Sequence, residues 1–516
     1  MQTGKFIKNA AVLTVTALIL RSIGMVFRIW LSNAVGADGM GLYQLILSVY
    51  SLAATFATSG ICTAVTRLIA EELTCGTARS VKRIFRRSVW LTLIIAAVSC
   101  AAVWLLADPI AELWIKDSRA ALSLKILSLS LPFMGVSSCI RGYFIACRQV
   151  AVQSTAQIFE QLIRIALIML IIGRFAPYGI GYACAAVLIG DTVAEACSCL
   201  YLYIGYAVNR RRLKTAENGR KAPPYSVTGR IISISLPITA GRYLTTALRT
   251  VESLLVPSKL TAHSGSYEQS LSQFGRLKGM ALPILFFPGS FLSALSTLLV
   301  PEMSGAAASG DRESIRAASR KTICITCELS AVIAGVFLVF SREIGVAAYG
   351  SEEVGTLIRC LAPLVPLMYL ESVTDGILKG LGQQNAIFRY NVADSAVRIA
   401  LIYEVVPFFG MAGFLTVMVV SNVLTATLCI GRLLRTAEMS FDLVTWALRP
   451  ALCATVSCAA AYLLLQLVPT ANCFVRLIVG GSIAAGIYAL MMYKLGGFAE
   501  FAAVERMAKR KGAKAK

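Results

Sequence analysis

Two arginines stand seven residues apart inside one of the longest apolar runs of the chain: Arg21 and Arg28, in "LRSIGMVFR" (residues 20–28). An arginine near the bilayer centre costs at least roughly 2.5–3.5 kcal/mol on insertion scales. In return it offers a planar fork of donors that matches phosphate oxygens through paired, charge-assisted hydrogen bonds. Seven residues are almost two helical turns, so both side chains share one helix face, about 10 Å apart in depth. Further along, "GRYLTTALR" repeats the arrangement with Arg242 and Arg249. Four such cations facing a polar cavity would bind an anion. A plainer reading exists for Arg28 and Arg249, which lie toward the outer ends of their helices: they snorkel to the interface. Arg249 also has Glu252 three residues on, close enough to neutralise it.

The remaining charges in apolar segments come mostly as acid–base pairs. Glu160 with Arg164, and Asp394 with Arg398, have i,i+4 spacing with the acid first, the favourable order. Internal salt bridges that hide both charges are the simpler reading, and gating or ion coupling is the other. Asp191 and Glu195 are i,i+4 carboxylates without a local partner, suited to a cation or proton site. Arg67 with Glu71 reads as interfacial, and Asp375 with Lys379 as another local pair. The single histidine, His263, falls in an expected outer loop. No GxxxxGK[ST] loop, Ser/His/Asp set or metal-ligand cluster is present, so neither ATP hydrolysis nor a metal or cofactor is expected. Cys324 and Cys327 form a CxxC without a partner pair, and the fifteen cysteines read as small buried hydrophobes.

These residues are carried by a chain that is 57% hydrophobic and 15% charged, with mean hydropathy +0.72. A soluble protein of 516 residues would carry more charge. Apolar runs of spanning length recur throughout, at 9–34, 41–70, 88–107, 121–147, 151–173, 179–207, 229–257, 276–303, 321–341, 355–381, 386–408, 411–435, 444–467 and 474–496. The fold class is therefore an all-α polytopic membrane protein of about fourteen transmembrane helices. The first run is too long for a signal-peptide core and is expected to stay as a span. The net charge of +22 resides in short loops and tails, which argues against nucleic acid. Lys5 and Lys8, then Arg79, Lys82, Arg83, Arg86 and Arg87, then 210–221, 312–321 and the tail all fall on one side of fourteen spans. Both termini are expected to be cytoplasmic.

The halves repeat. "EQLIRIALI" (160–168) matches "DSAVRIALI" (394–402), and "FATSGICTAVTRLIAEE" from Phe56 loosely matches "FPGSFLSALSTLLVPEM" from Phe287. Helices one to six would then recur as seven to twelve in parallel orientation, giving two pseudo-two-fold six-helix lobes plus two extra helices. The expected organisation is 1–208, a cytoplasmic linker at 209–228, 229–437, helices thirteen and fourteen at 438–496, and a basic tail at 497–516. On this alignment the arginine pairs fall on equivalent helices, one and seven. The ten extra residues lie in an outer loop around "SKLTAHSGSYEQSLSQ". Pro132, Pro237, Pro283, Pro288, Pro363 and Pro366 fall within spans and are expected to bend them.

Three stretches, "GRYLTTALRTVESLLVP", "SQFGRLKGMALPILFFPGSFLSALSTLLVPEMS" and "IRGYFIACRQVAVQSTAQIFEQLIRI", closely resemble the stage V sporulation protein B group of Gram-positive bacteria. That group belongs to the polysaccharide-export branch of the multidrug/oligosaccharidyl-lipid/polysaccharide (MOP) superfamily. The resemblance covers essentially the whole chain. It implies two lobes around a V-shaped cavity and export of an undecaprenyl-pyrophosphate-linked glycan, with membrane lipids and cell-wall synthases as partners. It also implies a place in the bacterial cytoplasmic membrane. Arg21 and Arg28 match the helix-one cavity arginines of related lipid II flippases. The helix-two arginine of those proteins has Ala54 near its place, and near the helix-eight position stands Leu282, with Arg276 a turn or two earlier. Energy would come from the membrane potential or a monovalent cation. Rival readings are a cation-coupled multidrug or small-solute exporter of the same superfamily, a non-transporting scaffold for cell-wall synthases, and a membrane glycosyltransferase or polymerase. The last lacks a convincing carboxylate cluster.

Overall fold

The computed structural model describes residues 2–75, 77–210, 226–466 and 472–495. Most of the expected linker, residues 211–225, and the whole basic tail lie outside the described residues. Every regular element is helical: α1 (Gln2–Thr58), α2 (Ile61–Cys75), α3 (Ala78–Pro109), α4 (Ala120–Ser128), α5 (Leu131–Ala146), α6 (Val150–Phe175), α7 (Ile180–Asn209), α8 (Val227–Ser264), α9 (Tyr267–Phe274), α10 (Leu282–Ser309), α11 (Arg312–Val339), α12 (Ser341–Tyr349), α13 (Glu352–Leu361), α14 (Val365–Gly380), α15 (Gln384–Thr436), α16 (Arg449–Gln466) and α17 (Cys473–Lys494).

Among the described residues, eleven stretches are long and apolar enough to cross a membrane. Two of them, Val15–Thr74 and Gln384–Thr436, hold two spans each. The helical path breaks at Gly36 in the first and at Gly410 in the second. α8 is not among the eleven, because Arg230, Arg242, Arg249, Glu252 and Lys259 dilute its apolar character. Counting it, the described residues hold fourteen spans, and the protein is an all-helical polytopic membrane protein. Large side chains such as Leu105 and Leu170, more than 70% exposed, form the apolar exterior that lipid would cover.

Several expected boundaries move. The second span is cut at Ser59–Gly60, where Gly60 adopts φ 76°. A Cβ there would sit 2.5 Å from the Ser235 carbonyl oxygen of α8, so only glycine permits the approach. The fourth span divides into α4 and α5 just before Pro132. The tenth divides into α13 and α14 around Pro363 and Pro366, with a 3₁₀ turn between them. Proline lacks the amide that would continue the upstream helix. The outer loop expected after helix seven is largely helical: α8 runs on to Ser264 and α9 follows, so His263 ends a helix rather than sitting in a loop. The basic residues 79–87, expected in a loop, lie on the first turns of α3.

The chain divides into two compact units, one of residues 1–275 with 399–410, the other of 276–398 with 411–516. In the first, α2, α3, α5 and α7 enclose a core that includes Val65, Leu68, Ile84, Phe85, Ile140, Tyr143, Phe144 and Tyr206. Phe85 stacks on Tyr206 at 4.1 Å between ring centroids, and Tyr143 meets both rings edge-on. α2 and α3 both pack on α5 here, and α10 and α11 both pack on α14 in the second unit. The repeated halves thus use the same pairings. The second unit also seats α16 and α17 on α11 and α12 around Phe340, Cys458, Ala461 and Ala484. Residues 399–410 join the first unit through α8: the Lys259 ammonium lies 3.3 Å from the Tyr403 ring centroid. His263 Nδ1 is 3.2 Å from the Pro407 carbonyl oxygen.

Candidate functional site

Both arginine pairs belong to the first unit. On α1, Arg21, Gly24 and Arg28 form one stripe, with Arg21 exposed and Arg28 half-buried. A side chain at Gly24 would touch the Gln161 amide of α6 at 4.0 Å, so the stripe borders α6. On α8, Arg242, Thr246 and Arg249 form the matching stripe, and both arginines are exposed. α8 runs along the second span of the chain through four contacts. Thr239 Oγ1 donates to the Ser59 carbonyl at 2.6 Å, and Tyr243 meets Phe56 edge-on. Thr246 Oγ1 lies 3.3 Å from Thr55 Oγ1, and Thr250 Oγ1 donates to the Ser48 carbonyl at 2.9 Å. Glu252 is 3% exposed, whereas Arg249 is exposed and has no ion-pair partner among the described residues. The neutralisation of Arg249 by Glu252 that the spacing suggests is therefore not formed.

The same unit holds a polar network that crosses four helices. Arg164 Nη2 reaches Glu160 Oε1 at 2.9 Å, the expected i,i+4 pair on α6. The same guanidinium approaches Asp191 Oδ1 of α7 at 2.8 Å and donates to Gln161 Oε1 at 2.9 Å. The other Glu160 oxygen accepts from Arg141 Nη2 of α5 at 3.1 Å. Tyr43, past the Gly36 break of α1, donates to Asp191 Oδ2 at 3.4 Å. Glu195, one turn beyond Asp191 on α7, is 7% exposed. Asp191 is thus not the unpartnered carboxylate that its own helix suggests. Its partner comes from α6.

Arg141 and Tyr43 went unnoticed in the sequence because their partners are far along the chain.

In the second unit Arg398 Nη2 pairs with Asp394 Oδ2 at 2.9 Å, as the spacing predicts. Ser421, on the far side of Gly410, closes the set: it accepts from Arg398 Nε at 3.0 Å and donates to Asp394 Oδ1. Asp375 pairs with Lys379 at 2.5 Å. Arg276 is ion-paired with Glu353. Arg67 pairs with Glu71 at 3.2 Å, and Arg230 of α8 joins them. Cys324 and Cys327 are buried in α11, with the Cys324 thiol directed at Glu328.

The chain matches known proteins over most of its length. Residues 6–306 match the family described as polysaccharide biosynthesis protein, and residues 278–403 match MatE. Stage V sporulation protein B of Bacillus subtilis (strain 168) is 26% identical over 452 residues, covering 86% of each chain. Lipid II flippase MurJ of the same organism is 23% identical over 407 residues, covering 74% of each. Among solved structures, lipid II flippase MurJ in an inward closed conformation superposes with TM-score 0.69 at 11% identity, covering 93% of this chain and 98% of that one. An inward-facing multidrug resistance MATE family transporter of the MOP superfamily gives 0.63 at 14% identity, covering 83% and 100%. The fold of the chain is that of these solved structures. The chain belongs to the polysaccharide biosynthesis protein family.

Proposed function

We propose that this transporter flips a lipid-linked, pyrophosphate-bearing glycan precursor of the lipid II kind across the bacterial cytoplasmic membrane. Arg21, Arg28, Arg242 and Arg249 grip its pyrophosphate. The observation that carries this reading is the pair of matching arginine stripes on α1 and α8, in one compact unit, with Arg242 and Arg249 not spent on ion pairs among the described residues. Transport proceeds by alternating access as the two six-helix lobes rock, while the lipid tail stays in the bilayer. With both termini cytoplasmic, outward movement of negative charge down an inside-negative potential gains about 2.3 kcal/mol per charge per 100 mV, a drive that needs no ATP. The networks around Arg164 and Arg398 act as internal ion pairs that hold helices together within each lobe.

The likeness to MATE transporters favours a second reading, a cation-coupled exporter of drugs or small solutes. Four guanidiniums would repel cationic drugs, which weighs against it. A transport panel in proteoliposomes separates the two. The proposed function predicts translocation of an undecaprenyl-pyrophosphate disaccharide and no accumulation of a cationic dye. Dye transport without precursor flipping would overturn it.

A further inference from the structure

The first turns of α3 carry a cationic face that the transport reading leaves unused. Arg79, Lys82, Arg83, Arg86 and Arg87 follow i, i+3, i+4, i+7, i+8 spacing, so helix geometry gathers all five on one side. All five are exposed, while Ser80, Val81, Ile84, Phe85 and Ser88 on the opposite side are buried in the core. Thr77 caps the helix and exchanges hydrogen bonds with Ser80, so the cations sit on ordered turns rather than in a loop.

The same face continues up the helix with changed chemistry. Trp90 is 60% exposed, and Ile94, Val98 and Leu105 follow it at 57%, 61% and 74%. Cations, then an amphipathic ring, then apolar side chains is the order in which a bilayer presents headgroups, interface and acyl chains. α3 has 32 residues and is about 48 Å long, well beyond a hydrocarbon core of roughly 30 Å, so its first turns reach past the acyl chains.

No carboxylate answers this charge: none of the five has an ion-pair partner among the described residues. Other basic helix ends differ. Arg312 and Arg316 at the start of α11 both meet Glu438, and Arg230 at the start of α8 meets Glu71. The helix dipole adds positive potential at the same end.

We propose that this face of α3 is a binding surface for anionic glycerophospholipid headgroups. The acyl chains lie along Ile94, Val98 and Leu105, and Trp90 sits at the boundary. The interaction is multivalent and electrostatic, so it weakens as salt screens it.

The test uses the full chain with Trp90 as its sole tryptophan, made by Trp30→Phe, Trp104→Phe, Trp114→Phe and Trp446→Phe. Quenching of Trp90 is compared between acyl-brominated phosphatidylglycerol and phosphatidylcholine at equal mole fraction. The proposal expects several-fold stronger quenching by the anionic lipid. High salt abolishes that preference, as does the combined Lys82→Gln, Arg83→Gln, Arg86→Gln and Arg87→Gln variant. If that variant does not fold, the salt series on the parent decides. Equal quenching by both lipids, or a preference indifferent to salt, would overturn the proposal. So would a preference for an undecaprenyl-pyrophosphate lipid without one for phosphatidylglycerol, which would assign the face to substrate capture.

Discussion

The charged residues divide into spent and unspent. Arg164 is spent: it touches Glu160, Gln161 and Asp191 at once, with little of either carboxylate exposed. Removing it would leave Asp191 without its cation, while Glu160 keeps Arg141, and breaking a buried pair of this kind costs about 3–5 kcal/mol. Arg164→Ala should therefore lower the melting temperature of the purified protein sharply. Adding Asp191→Asn should recover part of the loss, which a double-mutant cycle measures as a coupling energy. A loss unchanged by the second substitution would show that Asp191 does not depend on Arg164. Local pairs of this sort were legible in the sequence, because i,i+4 spacing on a helix fixes who meets whom: Glu160 with Arg164, Asp394 with Arg398, Asp375 with Lys379. Arg141 was not legible. Its partner Glu160 is on the next helix, and no periodicity within one helix encodes that contact. Spacing also misled at Arg249, where Glu252 turns into the packing instead of toward it.

Element boundaries follow from backbone chemistry more than from hydropathy. The apolar windows located all fourteen spans, yet Gly60 and the prolines at 132, 363 and 366 decide where helices stop. Polar stretches were the least readable. Residues 79–87 and 258–273 look like loops by composition and are helical, because a helix projecting beyond the acyl chains needs no apolar face on its water side. The close seat of α9 on α1 depends on a missing side chain. A Cβ at Gly275 would fall 1.9 Å from the Ala37 carbonyl oxygen, far inside contact distance. Gly275→Val should thus force the two segments apart and destabilise the protein by about 1–3 kcal/mol, as overpacking does. Gly173→Ala, where a Cβ meets nothing within 4 Å, is the matched control and should leave thermal stability unchanged. Equal melting temperatures for Gly275→Val and Gly173→Ala would refute the close seat.

For the molecule as a whole, the repeat proved more informative than any single helix. It pairs Arg242 and Arg249 with Arg21 and Arg28 as counterparts on equivalent helices. The structure places all four in one compact unit and keeps the α8 pair clear of carboxylates among the described residues. It also shows the α1 stripe bordering α6, an arrangement that a one-dimensional repeat does not contain. The central claim is that these guanidiniums hold a pyrophosphate during transport. Its most direct test is the rate at which purified protein in proteoliposomes flips an undecaprenyl-pyrophosphate disaccharide, wild type against the double variant Arg21→Ala and Arg242→Ala. The account predicts that the double variant falls to the rate of protein-free vesicles while its yield and melting temperature stay at wild-type values. Flipping by the double variant at the wild-type rate would contradict it.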